Sequence, residues 1–333
     1  ANAWAIGHGL LARGETFALA DGTPALPYLF AEYAQVTTIG EQAVIHFPRH
    51  RNQVRIEPHA ELMLKVLTEI NVAPQTPVTV QGHALTVGDL YRGSLHRTYL
   101  VPATNHSSFA STNDMPWALQ ALASWSPPHL KWTAEDGTQM NLDDLTTFTV
   151  TVLVHETQFM FEAMQAQATF EKRGQGIFQY TCGGAHLLQG TALAVARGNG
   201  SDLARKAITA QIPLLFYRIP KELEIYDAAM RAAPEHADQL LLQRLKFAGH
   251  ALESLHKMAA FGFYRPSESQ VKTLDGLAQQ IVLTTDTLEN RGVLSEPKLL
   301  MEQDEQLYLD LIGDSAHAIH GLNLALGRRS VHF

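Results

Sequence analysis

The sequence is short of cysteine, of charge and of unbroken apolar runs, and each shortage removes a class of protein. One cysteine in 333 residues excludes a disulfide framework and any four-thiolate zinc or iron–sulfur site. Charged residues make up only 17% against 46% hydrophobic ones, the reverse of the balance that keeps a chain disordered. No apolar run reaches the roughly 18 residues that a bilayer-spanning helix needs. The most apolar stretches carry Gly, His or Thr, as in Thr149 to His155. Basic residues are outnumbered 25 to 33, and a net charge of −8 argues against an electrostatic nucleic-acid binder. Glycine and proline, at 23 and 15, are too ordinary for a collagen-like or low-complexity chain. Histidine is what the sequence has in plenty, with 16. The chain opens on Ala1 rather than Met, and with so little cysteine the expected location leans toward export.

The length allows one large or two ordinary domains. Periodicity favours one mainly α domain over 1–333, with substructure: 1–140 as helices with short β hairpins, 141–333 all-helical. Ala1 to Gly14 reads as a helix stopped by Gly14, and Pro27 starts a short one over Tyr28 to Tyr33. Residues 36–39, 43–47 and 54–56 are rich in Val, Ile and Thr and read as strands joined by turns. Pro58 opens a helix with Met63, Val66, Leu67 and Ile70 on one face. Val78 to Val80 is a β piece turning at Gly82. Thr86 with Asp89 resembles a capping box for a helix to Leu100. Residues 101–114 read as a long polar loop, Pro116 to Trp125 as a helix, and Glu135-Asp136-Gly137 as a turn between two short strands.

From Asn141 the pattern is helical, with Leu145, Phe148, Val152, His155 and Phe159 on one stripe. Helices follow from Phe178 to Arg197, from Ser201 with breaks at Pro213 and Pro220, from Pro234 to Phe261, from Ser267 to Asn290 and from Lys298 to Leu326. Short loops between them favour antiparallel neighbours, hence an antiparallel helical array. Four helices repeat a small residue, a His and then apolar residues, around His8, His186, His250 and His317. That pattern resembles the inner helices of α/α toroids, where small residues let helices approach. It identifies no family.

Several constellations could carry chemistry. Cys182 and His186 are four apart, a spacing that puts a thiolate and an imidazole on one helical face, where they could share a soft or borderline metal or form a nucleophile–base pair. The plain alternative is an inert buried thiol. Glu253 and His256 have the Glu-x-x-His spacing of di-iron bundles, but no second copy exists. Lys246, His250, Glu253 and Lys257 fall on one polar stripe, which reads as a solvated face, while His256 reads as a core residue or an isolated ligand. His317 and His320 could share one ion, with Asp314 or Asp310 orienting His317; the plain reading is two unrelated histidines. His155 beside Glu156 reads as buried, and Glu57 as a helix cap.

Asn105 and His106 sit in the polar loop. They resemble the Asn and His that neutralise a uronate and abstract a proton in some polysaccharide lyases; Tyr99, Arg92, Arg97, Arg173 and Tyr180 are available as acid and clamps. Lys172 to Gly176 lacks the Walker pattern and reads as a linker. Trp117, Trp125 and Trp132 read equally as a sugar-stacking surface or as packing.

Three functions follow. The first is a helical metal-binding protein, extending to a metal-dependent hydrolase. In it Cys182, His186, His8, His250, His317 and His320 converge on zinc, with copper and iron as alternatives, and Glu253 or Glu156 is the base. The second is a metal-free carbohydrate-active enzyme of lyase type using His106 and Asn105. The third is a structural or interaction protein without chemistry. The partner expected for the first two is a small molecule or a carbohydrate, with no nucleic acid; the oligomeric state is left open.

Overall fold

The computed structural model describes residues 2–52, 54–170, 182, 184–295, 300–302 and 304–331. The class is mainly α. Every strand among the described residues pairs with one antiparallel partner in a short ribbon, and all the ribbons precede residue 142. The chain forms two compact units: unit 1 takes Ala1–Val152 and His186–Lys206, unit 2 takes Leu153–Ala185 and Ala207–Val331.

Unit 1 opens with α1 (Ala3–Arg13), whose first amides Trp4 N and Ala5 N are capped by the Asn2 side chain. Helix α2 (Ala25–Tyr33) begins earlier than Pro27 suggests, because a proline in the first turn has no intrahelical amide bond to lose. Strands β1 (Gln35–Ile39) and β2 (Gln42–His46) form a ribbon, and β3 (His50–Arg51) and β4 (Val54–Arg55) a smaller one. Helix α3 (Leu62–Glu69) starts a turn later than Pro58, because Glu61 takes the left-handed conformation at φ 60°. Strands β5 (Pro77–Val80) and β6 (His83–Thr86) meet at Gln81 and Gly82, both with positive φ, as a two-residue hairpin turn requires. The Thr86–Asp89 capping box is formed and opens α4 (Val87–Arg97).

The polar stretch after α4 is more ordered than its composition suggests. Strands β7 (Leu100–Val101) and β8 (His106–Ser107) bracket a 3-10 turn, Pro102–Thr104. Asp114 then closes it, accepting from Ala110 N at 3.0 Å and Arg49 Nη2 at 2.6 Å. Helix α5 (Met115–Trp125) follows, then β9 (Lys131–Thr133) and β10 (Gln139–Asn141) around the expected turn at Gly137. The core gathers Leu10, Leu29, Phe30, Met63, Leu67 and Trp117 from α1, α2, α3 and α5. Helix α7 (Ala185–Ala196) belongs to the same unit. A Cβ on Gly190 would lie 2.4 Å from Pro116 O, so only glycine admits this contact with α5.

Asp114 makes the acid stability of unit 1 predictable. Burial alone would raise its carboxyl, but His59 and Arg49 hold it at about 2 rather than 3.8. A depressed acid stabilises the fold above its unfolded value and loses that contribution as pH falls through its folded value. The expected gap between wild type and Asp114→Asn is about 2 kcal/mol at neutral pH. It should close as pH falls from 3.8 to about 2, read by urea unfolding.

Helix α6 (Leu142–Gln165) carries the chain from one unit to the next. Its buried stripe is not the expected one. Leu142, Leu145, Thr149, Leu153, Thr157 and Met160 face inward, while His155 is exposed. Threonines occupy the inner face because their hydroxyls bond back one turn, Thr149 Oγ1 to Leu145 O at 2.7 Å and Thr157 Oγ1 to Leu153 O at 2.8 Å, which satisfies them without water.

Helix α8 (Asp202–Ala232), which belongs to unit 2 from Ala207 on, runs unbroken through Pro213 and Pro220. Buried Ile212, Leu214, Leu215 and Ile219 hold it across the missing amide donors. Helices α9 (Ala237–Ala260), α10 (Glu268–Asn290, capped by Ser267) and α11 (Glu305–Ala325, capped by Asp304) complete the unit. The starts expected at Phe178 and Lys298, and the segment Lys172 to Gly176 with Arg173 and Tyr180, lie outside the described residues. Helices α9 and α11 pack at backbone distance: a Cβ on Gly249 would sit 2.8 Å from Ala318 N, and one on Gly321 3.0 Å from Gly249 O.

Candidate functional site

On α9 the spacing of Lys246, His250, Glu253 and Lys257 puts four polar side chains on one face, and that face is buried rather than solvated. The facing helix α11 is what excludes water from it. It brings Asp310, Asp314, His317 and His320, at the same three- and four-residue spacing, against the α9 stripe. Two polar stripes that would each be solvated alone are thus dry together, because the glycines let the helices close on them.

Glu253 is the centre, with no solvent exposure. His317 Nδ1 lies 2.8 Å from its Oε2 and His320 Nδ1 3.1 Å from its Oε1. Since a carboxylate only accepts, both imidazoles carry their proton on Nδ1 toward it. Lys257 Nζ donates to Oε1 at 2.5 Å, and His250 Nδ1 is 3.6 Å from Oε2. Burial alone would raise the Glu253 carboxyl, but the His317 charge and the neighbouring imidazoles of His250, His317 and His320 hold it well below the usual carboxylate range. The rings of His250 and His317 meet with centroids 3.9 Å apart. One turn away, Lys246 Nζ lies 3.2 Å from Asp314 and 3.5 Å from Asp310. Burial works against its charge, but Asp314 and Asp310 together hold the ammonium above its ordinary range.

The sequence-derived candidates divide accordingly. Glu253, His250, His317 and His320 are brought together, and His317 and His320 are not the unrelated pair of the plain reading. Asp314 and Asp310 face Lys246, so it is Glu253 that orients His317. Cys182 belongs to unit 2, where burial pushes its thiol up against the pull of the Lys246 charge, the direction opposite to an activated thiolate. It also precedes α7, and Gly184 at φ 81° breaks the helix that would have set Cys182 and His186 on one face. His186 belongs to unit 1 and packs on Trp117 at 4.0 Å between centroids. His8 hydrogen-bonds through Nδ1 to Trp4 O at 2.8 Å in the unit 1 core. Glu156 is half-buried on α6. Asn105 caps the 3-10 turn in the left-handed conformation, and exposed His106 bonds Asp136 at 2.6 Å and stacks on Tyr99. Among the described residues, Trp117 is buried and packs on His59 and His186, Trp125 meets Tyr91 edge-on, and Trp132 Nε1 donates to Thr98 O.

Unit 1 also holds a cavity of about 300 Å³ that no motif announced. Glu57, Glu61, His46, Arg97, Tyr99 and Phe109 are in its wall. Glu57 is the expected cap, accepting from Met63 N at 2.9 Å. Its burial, with the nearby Glu61 charge, also pushes its carboxyl up to about 8. Glu61 accepts from Ser94 Oγ and, at 3.5 Å, from Arg97 Nη2. The signal that could have found this site was Glu57 and Glu61 four apart just ahead of a helix, with Ser94 and Arg97 three apart on a later one. Compared with family models, curated proteins and solved structures, the chain matches none.

Proposed function

We propose that the protein binds a divalent transition metal, zinc by the chemistry of its donors, between α9 and α11. The observation that carries this is the Glu253 carboxylate fixing the Nδ1 side of His317, the arrangement that turns Nε2 of an imidazole toward an ion and raises its basicity. A ligand nitrogen of His250 lies within 4.8 Å of one on His317, which fits two imidazoles to one ion. His250 and His317 would be ligands, with Glu253 and His320 as positioning residues. The hydrolase reading belongs to the same proposal: a zinc ion supplies a polarised carbonyl or an activated water. The small-residue contacts at Gly249 and Gly321 support the toroid-like stacking of helices expected from the repeat.

Elemental analysis of protein purified without added metal tests the proposal. About one equivalent of zinc, lost in His317→Ala with the helical content kept, is the expected result. Copper or iron in its place would keep the site and change the ion. Less than about a tenth of an equivalent of any transition metal in folded wild type would sink it, because such sites hold zinc tightly. The carbohydrate-active or structural readings would then stand in its place.

A further inference from the structure

We infer that the unit 1 cavity is a binding site for one neutral sugar ring, a function separate from the metal proposal. Its size is at the lower end of small-molecule pockets, which suits a single ring rather than an extended chain. Its wall combines hydrogen-bonding groups with the aromatic residues Phe47, Tyr99 and Phe109, the mixture that a ring with hydroxyl edges and C–H faces can use.

The charges of the wall argue for a neutral ligand. Each guanidinium already has a carboxylate: Arg97 contacts Glu61, and Arg49 is paired with Asp114. An anionic ligand would meet Glu61 and Glu135, and a cationic one would meet Arg49 and Arg97. The polar groups of the wall include the Glu61 carboxylate, the Arg97 guanidinium and the Ser108 hydroxyl. A hydroxyl suits such a wall, since it can accept from a guanidinium and donate to a carboxylate. Glu61 adds a fixed acceptor: its left-handed backbone and the Ser94 hydroxyl hold its carboxylate at the wall. Tyr99 and Arg97 were expected to serve a site built on Asn105 and His106. They line this cavity instead, and Asn105 and His106 are not in its wall.

Isothermal titration calorimetry on the full chain tests this, with D-glucose, D-galactose and D-mannose as probes and D-glucuronate and D-glucosamine as charged counterparts. At least one neutral hexose should give saturable heat with a Kd on the order of 1 mM, and the charged sugars should bind about tenfold more weakly or not at all. Glu61→Gln and Phe109→Ala should each weaken the neutral sugar about tenfold, with Tm close to wild type. Phe109 is on a half-buried loop, so its variant decides the matter if Glu61→Gln fails to fold. No saturable heat with any of the three hexoses, equal binding of a charged sugar, or wild-type affinity in folded Phe109→Ala would each overturn the assignment.

Discussion

Glu253→Ala is expected to destabilise the protein by about 3–5 kcal/mol, the largest effect of any single substitution between α9 and α11. The size follows from what the carboxylate holds rather than from its own contacts. It accepts from Lys257 at 2.5 Å, from His317 at 2.8 Å and from His320 at 3.1 Å, all in a region closed to water. Removing it leaves an ammonium and two imidazole N–H groups deprived of their shared acceptor, and a buried charge stripped of its partner costs more than the pair ever contributed. The double variant Glu253→Leu with Lys257→Met should recover a large part of the loss, because it removes both charges and keeps the volume. Urea unfolding of the three proteins checks this. A loss below about 1 kcal/mol in Glu253→Ala would mean that the hub is not what holds these helices together.

The second large effect is expected at Gly249. An alanine there would put its Cβ 2.8 Å from Ala318 N and 2.9 Å from Ala318 Cα. Both are backbone atoms, so no rotamer change relieves the clash and α9 must move away from α11. Overpacking of this kind costs about 1–3 kcal/mol. The comparison that isolates the cause is Gly276→Ala on α10, where an added Cβ meets nothing within 4 Å. There only helix propensity acts, and the substitution should stabilise by up to about 1 kcal/mol. Opposite signs for two glycine-to-alanine changes in one unit, measured as shifts in urea midpoint, are the expected result. On the proposed zinc site, Gly249→Ala should also reduce the zinc bound, since it drives His250 and His317 apart. Equal stabilisation by both variants would contradict the close approach of the helices.

Local signals carried well. The Thr86–Asp89 box, the Ser267 cap, the turn at Gly82 and the hairpin around Gly137 all rest on interactions within a few residues, so they are written in adjacent letters. Where the reading went astray, a distant contact had outweighed a local preference. Proline should have interrupted α8 at residues 213 and 220, but buried neighbours hold the helix together. His155 should have been interior by its apolar flanks, yet the inner face of α6 went to threonines that satisfy themselves on their own backbone. The start of α3 moved because Glu61, anchored by Ser94 and Arg97 from α4, adopts a backbone conformation that a helix cannot contain.

The candidate site shows the same division. The spacing of three and four along α9 and α11 is a property of each helix, so the sequence alone determined which side chains share a face: Lys246, His250, Glu253 and Lys257 on one, Asp310, Asp314 and His317 on the other. It also determined the glycines, with no side chain to hold a neighbour off. Whether those faces meet water or each other was decided only when the chain folded, because that depends on the partner helix. A polar stripe facing solvent and a polar stripe facing its complement are the same string of letters. The pairing, which outweighs burial to hold the Glu253 carboxyl low and fixes the ring of His317, joins residues 64 positions apart in the chain.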